Sequence, residues 1–323
     1  MIRIVSNEKY AVDQVGSYGE KNLFASEIFI EHQIVAQQKE VRTYALVDLS
    51  SGRQLAIKTF ARGHNSTLWT SPVTGAFGPL EASEFITLAE LDLFINTITE
   101  DLLAQENSEK ILWRLPPQYY QSKVHTKVQN VLFRQKWNMD EFDLNFHLPI
   151  THYEDFRDNL SSSKRRELNR ITKTNPAFNE AVTAEQRKCI YEVIKMNRES
   201  QGYPMTMSWE GVEALSHAIG ENMKFYRLTR DNIILAGAIC LILDQHTLYV
   251  FYWGEHPEYR KDSTIIKLAE GIYLTALEAG FKTLDIGTST EHSEPNQGLI
   301  NFKENIGCQV TQKITASISK NGK

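Results

Sequence analysis

The sequence predicts an α/β protein with mixed, α+β-type sheets, built as two tandem copies of one plan, and three observations predict it. Apolar runs of strand length alternate along the chain with segments whose apolar residues recur at helical spacing. The order antiparallel strands, loop, long helix, strand, short helix, strand occurs twice, with little residue identity between the copies. The length of 323 residues suits two domains of ordinary size. An apolar share of 41% and a charged share of 23% belong to a chain that buries a core, which sets aside the disordered and fibrous classes.

In the first half, Leu23, Phe24, Ile28 and Ile34 give a helical stripe over 23–38. Two strands, 41–49 and 54–61, flank the Ser50-Ser51-Gly52 turn as a hairpin, and 67–70 is a third short strand. The Ser71–Pro79 stretch reads as a rigid glycine-bearing loop. A long helix over 84–104 then carries Phe85, Leu88, Leu91, Phe94, Ile95, Ile98 and Leu102 on one side. A strand at 110–115, a helix at 122–135 and a strand at 142–148 complete the copy.

Residues Thr151-His152-Tyr153-Glu154 form a capping-box signature and predict a helix running toward Thr174, and Thr183-Ala184-Glu185-Gln186 predicts the next. A third helix lies near 209–219. Strands follow at 224–229, 233–243 and 247–253, then a loop over 254–263 and a helix over 264–279. A strand at 283–286 opens into a polar loop through Thr288 to Asn296, with Glu291, His292 and Glu294, and then a short helix closed by Gly307 as a left-handed cap. In that helix Leu299, Phe302 and Ile306 are expected to face the core, with Lys303 at the edge of the stripe. The last strand is 309–319. The boundary falls at Pro149–Ile150, giving domains 1–149 and 150–323, expected to pack together around a cleft.

The net charge of −5 gives no global field toward nucleic acid. The longest apolar run, 233–243, is well short of the roughly 18 residues a membrane span needs, so no span is expected. Three scattered cysteines make no disulfide framework and the first residues lack a secretory signal, so the expected location is the cytoplasm. The sequence has no phosphate-binding Walker loop, no nucleophile elbow, no His-Glu-x-x-His and no Cys-x-x-Cys; nucleotide hydrolysis, serine hydrolysis and metal catalysis have no support.

The repeated plan resembles the GNAT acyltransferase fold. Two copies, with Ser-Ser-Lys-Arg-Arg-Glu-Leu at 162–168 and Gly-Leu-Ile-Asn-Phe-Lys-Glu-Asn-Ile-Gly at 298–307, look like the Fem-type aminoacyltransferases and their CelD/BcsL-like acetyltransferase relatives. The resemblance covers most of 20–320. It implies that Lys303 lies in the active cleft and stabilises negative charge during acyl transfer; the first copy carries no equivalent Gly-x-x-x-Phe-Lys, so the second is expected to hold the chemistry. It also implies an acyl-CoA donor, such as acetyl-CoA, or alternatively aminoacyl-tRNA, and as acceptor a small molecule or glycan precursor of the cell envelope bearing an amine. Tyr259-Arg260-Lys261-Asp262-Ser263-Thr264 departs from the family's coenzyme A loop, having no glycine. Its helix start still offers amides, with Ser263 as cap, Ser263, Thr264, Arg260 and Lys261 as donor-phosphate candidates, and Asp262 as a repulsive charge.

The remaining candidates have two readings each. Arg166, Arg170 and Lys173 recur at i, i+4 and i+7 and form either a phosphate-binding stripe, with Lys164 and Arg165 nearby, or a solvated face paired with Glu167. Glu291, His292, Glu294, Glu255, His256 and Tyr252 are candidate proton acceptors or ordinary loop and strand residues. Trp253, Asp285 and Phe302 are candidates to meet substrate, with core packing the alternative. In the strand 247–253, one alternating row is expected to be core and the other to line the cleft. A non-catalytic sugar- or nucleotide-binding module is a third reading of the whole chain.

Overall fold

The structure, a computed structural model, describes residues 2–320. It divides into two compact units, one of Met1–Leu144, His292–Glu294 and Thr311–Lys323, the other of Asn145–Glu291 and Pro295–Val310.

The first unit opens with two strands that the sequence reading passed over, β1 (Ile2–Ser6) and β2 (Tyr10–Val15). Arg3, Ser6, Asp13 and Gln14 interrupt them, so no long apolar run marks them. Helix α1 (Glu27–Gln37) precedes the hairpin β3 (Lys39–Asp48) and β4 (Gln54–Gly63), then β5 (Leu68–Ser71), the short β6 (Glu81–Ala82), α2 (Leu88–Ala104), β7 (Lys110–Arg114), α3 (Ser122–Arg134) and β8 (Asn138–Pro149). Helix α2 starts later than expected because Thr87 and Glu90 form the capping box that fixes its first turn. Strands β1 to β4 make an antiparallel meander, β5 lies parallel to β7, and β7 takes residues 315–319 as its antiparallel partner. Trp69, Phe94 and Trp113 centre the core against α2 and α3.

In the second unit the expected helix from Thr151 is broken in two. The Thr151 hydroxyl bonds the Asp155 carboxylate, α4 (Asp155–Asp158) is one turn, and α5 (Ser162–Thr172) restarts under a Ser161 cap. Then come β9 (Ala177–Glu180), α6 (Ala184–Glu199) with its Thr183 capping box formed as read, and α7 (Trp209–Ile219). Strands β10 (Met223–Arg230), β11 (Ile233–Asp244) and β12 (Thr247–Glu255) form an antiparallel meander. Helix α8 (Thr264–Glu278) leads to β13 (Thr283–Thr288), the tiny β14 (Thr290–Glu291) and β15 (Glu294–Pro295), α9 (Gln297–Asn305) and β16 (Gln309–Ser319). Residues 145–149 of β8 flank β13 antiparallel, and β13 flanks β12 parallel. The core gathers residues of β11, β12, β13 and α8, among them Ala238, Val250, Leu284 and Ile272.

Candidate active site

The parallel pair β12/β13 is joined only at its base. Pairing runs from Thr247↔Thr283 to Tyr249↔Asp285 and stops, while β12 continues to Glu255 and β13 to Thr288. The backbone of Val250–Glu255 on that side therefore has no ladder partner on β13, an edge open to an extended ligand. The first unit differs: β5 and β7 stay paired to Ser71↔Trp113, and the next turn is sealed by Gly78 N donating to Arg114 O at 2.8 Å and by Trp113 Nε1 donating to Gly78 O at 2.7 Å.

A bulge in β12 accompanies the parting. Ile239 pairs with Tyr252 and Cys240 with Val250, so Phe251 is an extra residue on β12. Neighbours on β11 face opposite sides, hence Val250 and Tyr252 do too, and the single alternation expected for this strand is broken at Phe251. Val250 enters the core. Tyr252 is 8% exposed and shares a hydrogen bond with the Thr206 hydroxyl; burial raises its phenol pKa, so it stays protonated and is a better donor than acceptor. Trp253, paired with Ala238, meets Phe302 edge to face at 5.9 Å, and Lys164 Nζ lies 5.5 Å from the Phe302 ring. Both aromatic side chains remain half-buried.

At the end of β13, Asp285 is fully buried and its Oδ1 accepts from Asn145 Nδ2 at 2.9 Å and from Gly287 N at 2.8 Å. Gly287 holds φ at 71°, open to glycine without strain. The turn this produces aims three carbonyls at one point: Lys303 Nζ donates to Ile286 O at 2.9 Å, Gly287 O at 2.9 Å and Thr288 O at 3.0 Å. Lys303 is 1% exposed, and the buried stripe of α9 is Ile300, Lys303 and Ile306. This corrects the expectation for α9: Lys303 sits at the centre of that face, because its hydrogens are satisfied there, while Leu299 and Phe302 are half-buried. Burial lowers its pKa to about 8, with Cys308 and Asp285 opposing. Gly307, at φ 85°, closes the helix as expected, with Gly307 N bonding Glu304 O and Cys308 N bonding Lys303 O.

The start of α8 is arranged otherwise than its sequence suggested. Ser263 stands at φ 59° and makes no side-chain cap; its amide bonds Arg260 O, and its hydroxyl accepts from Arg170 Nη2 at 3.2 Å. Thr264 is fully buried and its hydroxyl donates to Glu255 Oε2 at 2.9 Å. Arg260 Nε lies 3.7 Å from Glu255 Oε1, and Arg230 pairs with Asp262 at 3.4 Å. Burial raises the Glu255 pKa, opposed by the Thr264 hydroxyl, the Ile265 amide, Arg260 and Lys164. Glu255 thus stands at the start of α8, beside the Ile265 amide. Coenzyme A, one of the donors the fold implies, does not fit this helix start: a carboxylate already stands there, beside the Ile265 amide, where its pyrophosphate would need to lie.

Arg170 joins this group through bonds to Lys261 O and Ser263 Oγ, while Arg166 and Lys261 are exposed beside it. His292 belongs to the first unit, its Nδ1 2.5 Å from Glu141 Oε1, and Glu291 is exposed. Glu255, expected as a loop residue and candidate proton acceptor, is the last residue of β12, and Asn145 is the site residue that no sequence signal marks. Among the described residues, no group of three His, Cys, Asp or Glu is placed to hold a metal ion.

No protein-family model and no curated protein sequence matches this chain. Solved structures match along its length. FemX aligns at 13% identity and TM-score 0.73, covering 94% of each chain. L-PGS from Bacillus licheniformis aligns at 11% identity and TM-score 0.55, covering 92% of this chain and 93% of its own. A tandem GNAT protein from the clavulanic acid biosynthesis pathway aligns at 7% identity and TM-score 0.52, covering 96% and 98%. The fold is therefore tandem GNAT-like and Fem-type.

Proposed function

We propose that the chain is an N-acyltransferase working in the opening between β12 and β13 of the second unit, moving an aminoacyl group from an ester donor of the aminoacyl-tRNA kind to an amine on a cell-envelope or polysaccharide precursor in the cytoplasm. The observation that carries the reading is the parting of these parallel strands after Tyr249 and Asp285, which leaves one backbone edge able to bind the amide-bearing part of a donor or acceptor. The tandem GNAT-like fold supports the reaction class. The coenzyme A donor, the first expectation from the sequence, is disfavoured by Glu255 at the start of α8. The exposed Arg166, Lys173, Arg260 and Lys261, with Arg170 between them, favour a donor held by its phosphates at a surface.

In the proposed reaction the acceptor nitrogen attacks the ester carbonyl directly, the bond to the ribose oxygen breaks, an amide forms, and the proton lost by the amine is matched by one gained by the leaving hydroxyl. No covalent enzyme intermediate is invoked: burial keeps Cys308 protonated, its pKa pushed up to about 12, and raises that of Cys240 as well, while Cys189 is exposed on α6. Tyr252 is the assigned proton donor to the leaving oxygen, and the proton shed by the attacking amine restores its phenol. Lys303 acts as a positioning residue, holding the carbonyls of 286–288 so that the end of β13 stays away from β12, and lending its positive field to the oxyanion. Trp253 and Phe302 form the apolar wall.

The test is binding of charged tRNA to the full chain at two salt concentrations. With about four phosphates neutralised, raising salt from about 50 to about 200 mM should lower affinity by about 100-fold. Saturable acyl-CoA binding without tRNA binding would reverse the choice of donor.

A further inference from the structure

We infer that Glu255 is the built-in anion of α8, seated at the helix start where a donor pyrophosphate would otherwise bind, and that it selects against coenzyme A thioesters. The meaning of this assignment rests on the acyl-transfer reading, though its test does not. A helix start collects anions because its first amides lack intrahelical partners and the helix dipole is positive there. In this chain an anion already stands there, against the Ile265 amide and the Thr264 hydroxyl. The Glu255 side chain is 13% exposed, receives the Thr264 hydroxyl at 2.9 Å, interacts with the Ile265 amide, and lies 3.7 Å from the Arg260 guanidinium.

Three features make the carboxylate hard to displace. The backbone that carries it is held at the end of β12 by Asn197 Nδ2, which donates to the Glu255 main-chain carbonyl at 3.0 Å. Its hydroxyl partner is fully buried, so eviction would strand Thr264 Oγ1 with only the long bond to Leu235 O at 3.4 Å. The preceding turn is closed to phosphate as well: Ser263 N is spent on Arg260 O, and the left-handed Ser263 adds a Cβ where the coenzyme A loop of the resembling family has glycine. An incoming pyrophosphate would meet a negative charge at contact distance, and Arg260, the nearest cation, is already shared with that charge.

The experiment measures binding of inorganic pyrophosphate and of coenzyme A to the full chain by calorimetry, for the natural protein and for Glu255→Gln and Glu255→Ala. The natural protein should show no saturable binding of either. Glu255→Gln keeps an acceptor for the Thr264 hydroxyl while removing the charge, so it is the variant that preserves the fold; both variants should bind pyrophosphate at least about tenfold more tightly than the natural protein. Saturable coenzyme A binding by the natural protein, unchanged in Glu255→Gln, would overturn the assignment. If the variants gain pyrophosphate binding but no form of the protein transfers an acyl group from thioester or tRNA ester, the acyl-transfer reading falls and the role of Glu255 stands.

Discussion

Lys303 spends its three ammonium hydrogens on the carbonyls of Ile286, Gly287 and Thr288, inside a region it shares with Phe146 and Asp285. The sequence alone suggests that truncating it would cost activity and spare the fold. With the carbonyls in view, the variant Lys303→Met should do both kinds of damage: turnover falls by about 100-fold or more, and stability falls by about 2–4 kcal/mol because buried acceptors lose their donor. Thermal melts beside activity assays separate the two, and a variant with native melting temperature and turnover would remove the residue from both roles. The sign of the pH dependence follows from the lowered pKa. Between about 8 in the folded state and 10.5 unfolded, the unfolded chain binds more protons at this site, so its contribution to stability rises with pH through that window. The stability deficit of Lys303→Met should accordingly be larger at the top of the window than below it. What the sequence carried was the Phe-Lys pair, Phe302-Lys303, within Gly-x-x-x-Phe-Lys-x-x-x-Gly. What it could not carry was the direction of three backbone carbonyls, so helical spacing alone placed the lysine at the edge of a stripe whose centre it occupies.

At the scale of elements, the closing glycine of α9 was legible because only a residue tolerant of positive φ ends a helix this way. Its second constraint was not, since Asn159 is remote in sequence. A methyl group on Gly307 would sit 2.6 Å from Asn159 Cβ and 3.0 Å from Asn159 O at φ 85°, whereas one on Gly280, at φ 83°, meets nothing within 4 Å. Both Gly→Ala changes pay the left-handed penalty of about 1–2 kcal/mol. The melting temperature should therefore drop further for Gly307→Ala than for Gly280→Ala, and equal drops would mean that Asn159 gives way freely. The bulge at Phe251 was invisible for a related reason: an extra residue is defined by the partner strand, and the apolar pattern of β12 reads the same with or without it. The turn before α8 misled most. Ser263 has the side chain of a cap, yet it stands at positive φ, makes no cap bond and instead accepts from Arg170.

For the whole molecule, the repeated order of elements was readable because each copy obeys the same periodicities, but pairing across long sequence separations was not. Cutting the chain at the proposed boundary, Pro149–Ile150, would separate strands that pair within each compact unit. Residues 110–114 of β7 pair with 319–315 of β16, and residues 145–149 of β8 pair with β13. The fragment 1–149 would lose one neighbour of β7, and the fragment 150–323 one neighbour of β13. Each exposed edge would lie beside buried side chains such as Trp113 and Leu284, which makes it a site for non-native pairing. The two fragments expressed separately should then be poorly soluble and lack a sharp thermal transition, whereas co-expression should give a complex that elutes as one species and melts cooperatively. Cooperative melting of fragment 150–323 by itself would show that the second copy folds without strand β8, and would make the boundary at Pro149–Ile150 a true domain boundary.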